Sequence, residues 1–271
     1  MEPLKVCIDK PLPFTHVHLN MFNAIKANPA NNPAKAGTDE HKAIKKFIAN
    51  PNQRFSSDEA ALISRMAVIT DNKWQPGATL NIGFLNGSNI QKQQTQKMAS
   101  EWLSYADIKF NYVDDPQKAT IRIAFQFNGD QGSWSYIGTD CLQIAKTNPT
   151  MNFGWLEDDT ADDEWRRVVV HEFGHALGCI HEHSSPGGNI QWNKPVVYQY
   201  YEGPPNNWTQ QDVDKNVFFK YSTDITQFTT LDPNSIMMYP IPAQFTLNGF
   251  SVGMNTDLSD TDKSFIKQQY P

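Results

Sequence analysis

The densest set of reactive side chains in this sequence lies in residues 171–183, HEFGHALGCIHEH. This stretch holds four of the seven histidines of the chain, together with two glutamates. Imidazole nitrogens and carboxylates bind divalent metals, and both groups also transfer protons near neutral pH. The segment therefore predicts a metal site with an acid–base group beside it.

The spacing of the histidines predicts how they meet. His171 and His175 are four residues apart, so on a helix they lie about 40° apart around the axis and point into the same space. His181 would lie roughly 240° from His175 on a continued helix, on the wrong side. Gly178 offers the required stop, because glycine adopts the left-handed conformation that ends helices, and the chain can then return His181 to the metal.

Three neutral imidazoles leave one position open on a tetrahedral ion, which is the arrangement of catalytic zinc and not of a closed structural site. Glu172 adjoins a ligand but points elsewhere, so it can hold a water in the open position and act as general base. The residues thus predict one catalytic Zn²⁺ bound by His171, His175 and His181, with Glu172 as a catalytic residue.

Several elements must position this segment. Thr160 with Asp163 predicts a helix cap, followed by a helix from about Glu164 to Leu177. Ser88 predicts the start of a second helix that runs to about Tyr105, and its buried stripe is Ile90, Met98, Trp102 and Leu103. Alternating apolar residues predict strands within residues 74–87, 108–113 and 119–127.

The order of elements predicts an α+β domain. Residues 1–70 form an N-terminal arm that is rich in Pro, Asn and Ala and is expected to be extended apart from short helices near 39–49 and after a Ser56–Glu59 capping box. This arm is either a prosegment or a packed extension. The catalytic domain spans 71–271 and divides into an ordered part, 71–180, and an irregular part, 181–271, that ends in a helix near 260–269.

Composition narrows the partners. The chain has 271 residues and a net charge of −6, and it shows no basic cluster for nucleic acid and no apolar run that could span a membrane. Its three cysteines, Cys7, Cys141 and Cys179, cannot form a disulfide framework. No secretory signal is visible, so we expect either secretion or translocation to a target cell by another route, or a cytoplasmic location.

The extended motif HExxHxxGxxH is the signature of the metzincin zinc peptidases, and with Glu182 it resembles the astacin branch. The segment SIMMY, 235–239, resembles the methionine turn of that branch. By this resemblance Met237 is a hydrophobic floor beneath the zinc, and Tyr239 is a fifth, switchable metal ligand that also donates to the oxyanion in catalysis. GSWSYIG, 132–138, resembles the astacin segment that borders the active-site cleft, and LSDTDKSFIKQQY, 258–270, is similar to the terminal helix of that family. The KPLP start and the MNFGWL segment resemble a microbial subgroup of astacin-like peptidases.

The resemblance implies a metzincin-type zincin fold, in which a mixed twisted sheet and an active-site helix precede an irregular C-terminal subdomain. It implies a zinc endopeptidase that acts on protein or peptide substrates. The strand after Trp134 could offer its edge to a substrate bound in extended form, since main-chain pairing demands no sequence, or it could be an ordinary buried strand rich in aromatic residues. The resemblance also implies that Glu182 holds the amino terminus of a matured chain, although some seventy residues precede the domain here.

Two alternatives remain open from the sequence. The chain could be a binding module that keeps zinc for structure and has lost hydrolysis, although Glu172 argues against this because a structural site needs no base. Cys7 could be a thiolate ligand that fills the open zinc position in a latent form, or it could be a cysteine that only packs.

Overall fold

A five-stranded mixed sheet forms the framework of the metal-binding region. In the computed structural model the described residues are 4–8, 10, 12, 16–68, 71–204, 206–221 and 230–271, so Pro11 and Pro13 of the KPLP segment lie outside them. The strands, in chain order, are β1 (Thr79–Phe84), β2 (Lys109–Tyr112), β3 (Ile121–Phe125), β4 (Trp134–Ser135) and β5 (Met151–Phe153).

The spatial order of the strands is β2-β1-β3-β5-β4. All neighbouring pairs are parallel except β4, which runs antiparallel to β5 with Trp134 opposite Asn152 and forms one edge of the sheet. The predicted strands β1, β2 and β3 are confirmed, and so is the mixed sheet. Strand β5 was not predicted, because three residues are too short a run to show a period.

Three helices of the N-terminal half are α1 (Val17–Ala27), α2 (Asp39–Ala49) and α3 (Ser57–Val68). They bury a small apolar cluster of their own around Met21, Ile44 and Phe47. The predicted helices at α2 and α3 are confirmed, and Ser56 and Glu59 form the predicted reciprocal cap. The prediction of an otherwise extended arm is wrong for α1, whose buried face is only Met21, Ala24 and Ile25.

This helical unit is docked on the rest of the chain by buried amides. The Asn28 Nδ2 atom donates to the Trp74 carbonyl at 3.0 Å, and Asn31 Nδ2 donates to the Lys73 carbonyl at 2.8 Å. Helix α1 also packs against a short 3₁₀-helix, Gly138–Gln143. The helical unit therefore packs against the catalytic region in this structure, as either a prosegment or an extension would.

Helices α4 (Asn89–Ala99) and α5 (Asp162–Ala176) pack against each other, and both contribute to the largest apolar cluster together with the sheet. Met98 and Trp102 are buried as predicted, but Ile90 and Leu103 are 46% and 37% exposed. Ile90 precedes Met98 by eight residues and so lies about 80° off the buried stripe. Leu103 falls in a 3₁₀ turn, Ser100–Ser104, where the helical phase changes.

The described residues of the C-terminal part contain the helices α6 (Lys194–Glu202), α7 (Gln210–Val213) and α8 (Asp260–Gln269). A second apolar cluster lies here, around Val197, Tyr201 and Phe245. The predicted final helix is confirmed as α8, and Ile266 and Tyr270 join the largest cluster beside α5. Among the described residues no helix is long and apolar enough to cross a membrane.

Candidate metal centre

Helix α5 carries the first half of the histidine segment through the middle of the molecule. Its residues from Val168 to Ala176 are all buried, which fixes the orientation of the helix between the sheet and the C-terminal part. The predicted Thr160 cap is wrong: the N-cap is Ala161, and the Thr160 hydroxyl instead accepts a hydrogen bond from the Glu157 amide. Acidic residues in the first turn, Asp162, Asp163 and Glu164, stabilise the positive end of the helix in place of a cap.

The helix ends where the sequence predicted. Gly178 has φ +97°, and its amide donates to the His175 carbonyl at 2.8 Å, while the Cys179 amide donates to the Gly174 carbonyl at 2.9 Å. These are the bonds of a left-handed helix terminus, which reverses the chain. The reversal returns His181 to the side of the helix that carries His171 and His175.

The three imidazoles converge at their Nε2 atoms. The distances are 3.1 Å between His171 and His181, 3.2 Å between His175 and His171, and 3.1 Å between His175 and His181. A tetrahedral zinc ion with bonds of about 2.0–2.1 Å separates its ligand nitrogens by roughly 3.3 Å. The spacing of the three nitrogens therefore fits one zinc ion.

Hydrogen bonds on the far side of two rings set their tautomers. His171 Nδ1 and His175 Nδ1 each lie 2.8 Å from a carbonyl oxygen, those of Ile236 and Cys179. A carbonyl oxygen can only accept, so each Nδ1 carries the ring proton and donates a hydrogen bond. Each Nε2 therefore directs a lone pair toward the centre. Burial, with the neighbouring imidazoles, also lowers the pKa of His171 well below its ordinary value, so the ring is held neutral, as a metal ligand must be.

Glu172 is fully buried next to the ligand His171. Its carboxylate, the His171 ring and the Cys7 sulfur offer atoms that all lie within 4.8 Å of one another. The Cys7 thiol hydrogen-bonds to Glu172, and burial together with that carboxylate raises the pKa of Cys7 well above its ordinary value. The predicted general base and the predicted thiol ligand thus meet at the same side of the histidine triangle.

Met237 packs against helix α5 at Gly174, while its role as a floor beneath the zinc stays what the resemblance implies. A Cβ atom added to Gly174 would approach the Met237 sulfur to 2.4 Å and Trp102 to 3.1 Å. Glycine costs about 1 kcal/mol in a helix interior, so its place between the two histidine ligands reflects this close packing. Gly174 was not singled out from the sequence, although a glycine inside a helical pattern is a signal for such a contact.

Tyr239 is buried beside the centre, with its ring 4.4 Å from the ring of His181. Its hydroxyl donates a hydrogen bond to the Cys7 carbonyl. Its role as a switchable metal ligand stays a prediction. His183 is also buried, where its ring lies 4.3 Å from Tyr239 and its Nε2 is 2.9 Å from the Asn216 carbonyl.

Glu182 connects the histidine segment to the methionine turn. Its amide donates to the Met237 carbonyl, and its Oε1 atom accepts from the Asp232 amide, both at 2.9 Å. Burial raises the pKa of Glu182 to about 7. In this structure its carboxylate therefore binds the loop before the methionine turn.

Residues 4–8 lie against the metal centre as a segment without regular secondary structure. Its backbone is bound at the Leu4 amide by the Tyr200 hydroxyl (2.7 Å) and at the Ile8 amide by the Ser133 carbonyl (3.0 Å). Leu4 and Val6 pack in the second apolar cluster, whereas Cys7 packs in the largest one. The segment therefore bridges the two sides of the cleft, a contact between residues more than 120 positions apart that the sequence did not predict.

Comparison with known proteins supports the same assignment. A family model described as Metallo-peptidase family M12B Reprolysin-like matches residues 113–244, which include the three histidines and the methionine turn. A structure of myroilysin, an astacin-family metzincin, is 48% identical over 74% of this chain and 96% of its own, with a TM-score of 0.71. This chain belongs to the astacin-like metzincin zinc metallopeptidases.

Two further relatives are more distant. High choriolytic enzyme 1, a hatching enzyme zinc-protease from Oryzias latipes, shares the fold at 15% identity, with 80% of this chain and 98% of that chain covered and a TM-score of 0.50. Serralysin B from Dickeya chrysanthemi is 25% identical over 173 residues, which are 58% of this chain. The chain spans about 35% of the length of that curated relative.

As an astacin-like metzincin, the chain has zinc as its cofactor, and its three convergent histidines are the candidate zinc ligands. It departs from typical astacins in having no disulfide, since Cys7, Cys141 and Cys179 are all free thiols. In this metzincin hydrogen bonds and apolar packing hold the helical extension and the segment 4–8 on the catalytic region.

Proposed function

We propose that this protein is a zinc endopeptidase that hydrolyses peptide bonds in protein or peptide substrates bound in extended form. The observation that carries the proposal is the convergence of three imidazole Nε2 atoms within 3.2 Å of one another, next to a buried glutamate, in a cleft that already holds a peptide segment. The binding of residues 4–8 by main-chain contacts supports the extended mode, because such contacts place no demand on sequence.

When bound, zinc supplies Lewis acidity and lowers the pKa of a coordinated water to about 7. Glu172 takes the proton of the attacking water as general base, and it then delivers that proton to the leaving amine. The Tyr239 hydroxyl donates to the carbonyl oxygen of the scissile peptide as negative charge develops there. The hydrogen bond from Tyr239 to the Cys7 carbonyl supports this role, since that carbonyl belongs to a peptide lying in the cleft.

Hydrolysis of casein by the Cys7→Ala chain, which lacks the thiol next to His171 and Glu172, with and without a zinc chelator, tests the proposal; Glu172→Ala is made in the same background. We expect the Glu172→Ala variant to bind zinc and to lose activity by at least about 1000-fold, because the base is gone and the ligands remain. Activity that is insensitive to the chelator, or equal in the variant, would refute a metallopeptidase. Zinc binding with no hydrolysis in either protein would favour the alternative, a binding module stabilised by zinc.

We also propose that the full chain is latent, with Cys7 as a fourth zinc ligand. The proximity of the Cys7 sulfur to His171 and Glu172, in a segment that fills the cleft, supports this form. Zinc X-ray absorption of the full chain should include a sulfur at about 2.3 Å, and the Cys7→Ala variant should lack it. A spectrum with only nitrogen and oxygen neighbours in the full chain would contradict latency through Cys7.

We further propose that the protein acts outside the cell that makes it, by secretion or by translocation into a target cell. A peptidase whose cleft is filled by its own amino-terminal segment is protected from acting during synthesis and transit, which supports this location. Cell fractionation with an antibody against the chain tests it. Recovery of the protein only in the cytosol would contradict export.

A further inference from the structure

Arg167 occupies an unusual position for a charged side chain. It lies one helical turn before the ligand His171 on α5, it is only 8% exposed, and it lines the pocket next to Val6. Its Nη2 atom donates to the Lys5 carbonyl at 3.3 Å. Arg167 therefore contacts the main chain of the segment that lies in the cleft.

Glu164 neutralises this arginine. The Nε and Nη2 atoms of Arg167 donate to the two carboxylate oxygens of Glu164 at 2.7 and 2.8 Å, and Glu164 is held in turn by the Trp155 indole at 2.7 Å. A bidentate pair of this kind fixes the direction of the guanidinium. The charge of Arg167 is thus compensated from within α5, and a donor remains directed at a carbonyl in the cleft.

The neighbouring pocket combines an apolar wall with the polar groups of Arg167, His171, Tyr239 and Asn255. Its walls include Ile236, Met238, Pro240 and Met254, and Val6 of the amino-terminal segment is seated in it with 5% exposure. Space remains beside Val6, so a longer aliphatic side chain can enter. An acidic side chain would have to compete with Glu164 for Arg167 and would be desolvated among apolar groups.

From these contacts we infer that the Glu164–Arg167 pair is a substrate clamp. Arg167 binds a main-chain carbonyl of the substrate, and Glu164 fixes the guanidinium of Arg167 in that position. By pairing with Arg167, Glu164 also keeps the adjoining pocket selective for aliphatic side chains such as leucine, valine and methionine. This inference rests on the proposed peptidase function for its substrate, but the chemistry of the pocket can be tested without hydrolysis.

The first experiment uses the metal-free full chain and the burial of Cys7 as a reporter of the seated segment. Pulse labelling with N-ethylmaleimide, read by mass spectrometry at Cys7, should be as slow in Val6→Leu as in the parent chain and at least 10-fold faster in Val6→Asp. Buried Cys141 is the internal control.

In a Glu164→Gln background the effect of Val6→Asp should shrink to less than about threefold, because Arg167 is then free to pair with the new carboxylate. Equal labelling of Val6→Asp and Val6→Leu would overturn the apolar pocket, and an unchanged penalty in Glu164→Gln would overturn the role of Glu164.

The second experiment measures the clamp in catalysis, with the full-length Val6→Asp chain that also carries Cys7→Ala as enzyme and a peptide library as substrate, so that neither the seated segment nor the thiol keeps the chain latent. Cleavage should favour aliphatic over acidic residues next to the scissile bond by at least 10-fold. Arg167→Met should raise KM about 10-fold and change kcat less than threefold, because a main-chain bond is made equally in ground and transition states. The control is Arg166→Met, whose guanidinium pairs with Glu101 and Asp257 instead, and it should leave both constants unchanged.

The outcomes of the second experiment separate the two proposals. A preference for acidic residues, or a KM that Arg167→Met does not change, would refute the clamp while leaving the peptidase intact. Failure of the zinc-loaded chain to cleave any peptide would refute the peptidase, and the labelling rates would still decide what the pocket accepts.

Discussion

Individual residues of the centre divide into those that local spacing reveals and those that it does not. His171, Glu172, His175 and His181 lie within eleven positions, so helix geometry and one glycine were enough to predict their convergence from the sequence. Cys7 and Arg167 also contact the centre or its cleft, but Cys7 meets His171, and Arg167 meets Lys5, across more than 160 positions of sequence. No periodicity encodes such a pairing, so the sequence suggested Cys7 only as one alternative and did not suggest Arg167.

At the residue scale, Tyr239→Phe tests the proposed oxyanion donor. We expect the variant to keep its zinc and to lose roughly 100- to 1000-fold in kcat, because one preorganised donor to the developing charge is removed. The measurement is kcat together with zinc content, in a Cys7→Ala background that frees the cleft. Tyr198→Phe, which removes a hydroxyl that donates to Asp214 on the surface, is the matched control. A kcat of Tyr239→Phe within a few-fold of the parent would argue for a packing role only.

At the scale of elements, the centre depends on three pieces packed together: helix α5, the turn after Gly178 and the methionine turn. The sequence predicted the first two because their signals are local, namely apolar periodicity and a glycine stop. The sequence predicted the wrong cap for α5. The Thr160 hydroxyl accepts a hydrogen bond from the Glu157 amide, and acidic residues in the first turn stabilise the positive end of the helix instead. The sequence also did not predict β5 and α1. Each has too few apolar residues to show a clear period, and these residues are buried only by the sheet or the helices packed against them.

Gly174→Ala tests the contact between α5 and the methionine turn. The added methyl group would meet the Met237 sulfur at 2.4 Å, so Met237 or the helix must shift. We expect a loss of about 1–3 kcal/mol in the free energy of unfolding, together with weaker zinc binding. Urea denaturation and metal titration measure the two effects. Gly253→Ala, where an added Cβ meets nothing within 4 Å, should change neither; equal behaviour of the two variants would show that the contact is unimportant.

The left-handed turn gives a second test at this scale. Gly178→Ala should cost about 1–2 kcal/mol, because the φ of +97° strains any residue with a Cβ atom. The nearest atom to the added Cβ is 3.7 Å away, so the cost is conformational and not steric. Thermal unfolding of the metal-free protein measures it. A variant as stable as the parent would mean that the turn relaxes and that His181 does not depend on this conformation.

At the scale of the whole molecule, the helical extension and the catalytic region meet over a buried polar surface. Asp140 lies there, in the 3₁₀-helix that packs against α1, and it hydrogen-bonds to Asn20. Its Oδ1 atom has no hydrogen-bond partner among the described residues, and burial raises its pKa to about 7. The division of the chain at residue 70 stays a prediction, and this interface is where it can be probed.

The raised pKa of Asp140 predicts how stability depends on pH. Between about pH 4 and 7 the folded chain holds a proton that the unfolded chain has released, so the free energy of unfolding falls as pH rises through this window, by at most about 4 kcal/mol. Asp140→Asn should remove the contribution of this carboxyl group to the pH dependence. The change in the free energy of unfolding between pH 5 and pH 8 should therefore be smaller in the variant than in the parent. Glu182 also titrates near 7, but it is common to both chains and cancels. An unchanged pH dependence in the variant would contradict a buried, protonated Asp140.

The most direct test of the metal centre is the zinc content and zinc X-ray absorption of the purified full chain, compared with His175→Ala. We expect one zinc per chain in the parent, with three imidazole nitrogens at about 2.0–2.1 Å, and a substantial loss of zinc in the variant. A parent chain that contains no transition metal and takes up none after soaking would contradict the assignment. So would a His175→Ala chain that binds zinc as fully as the parent.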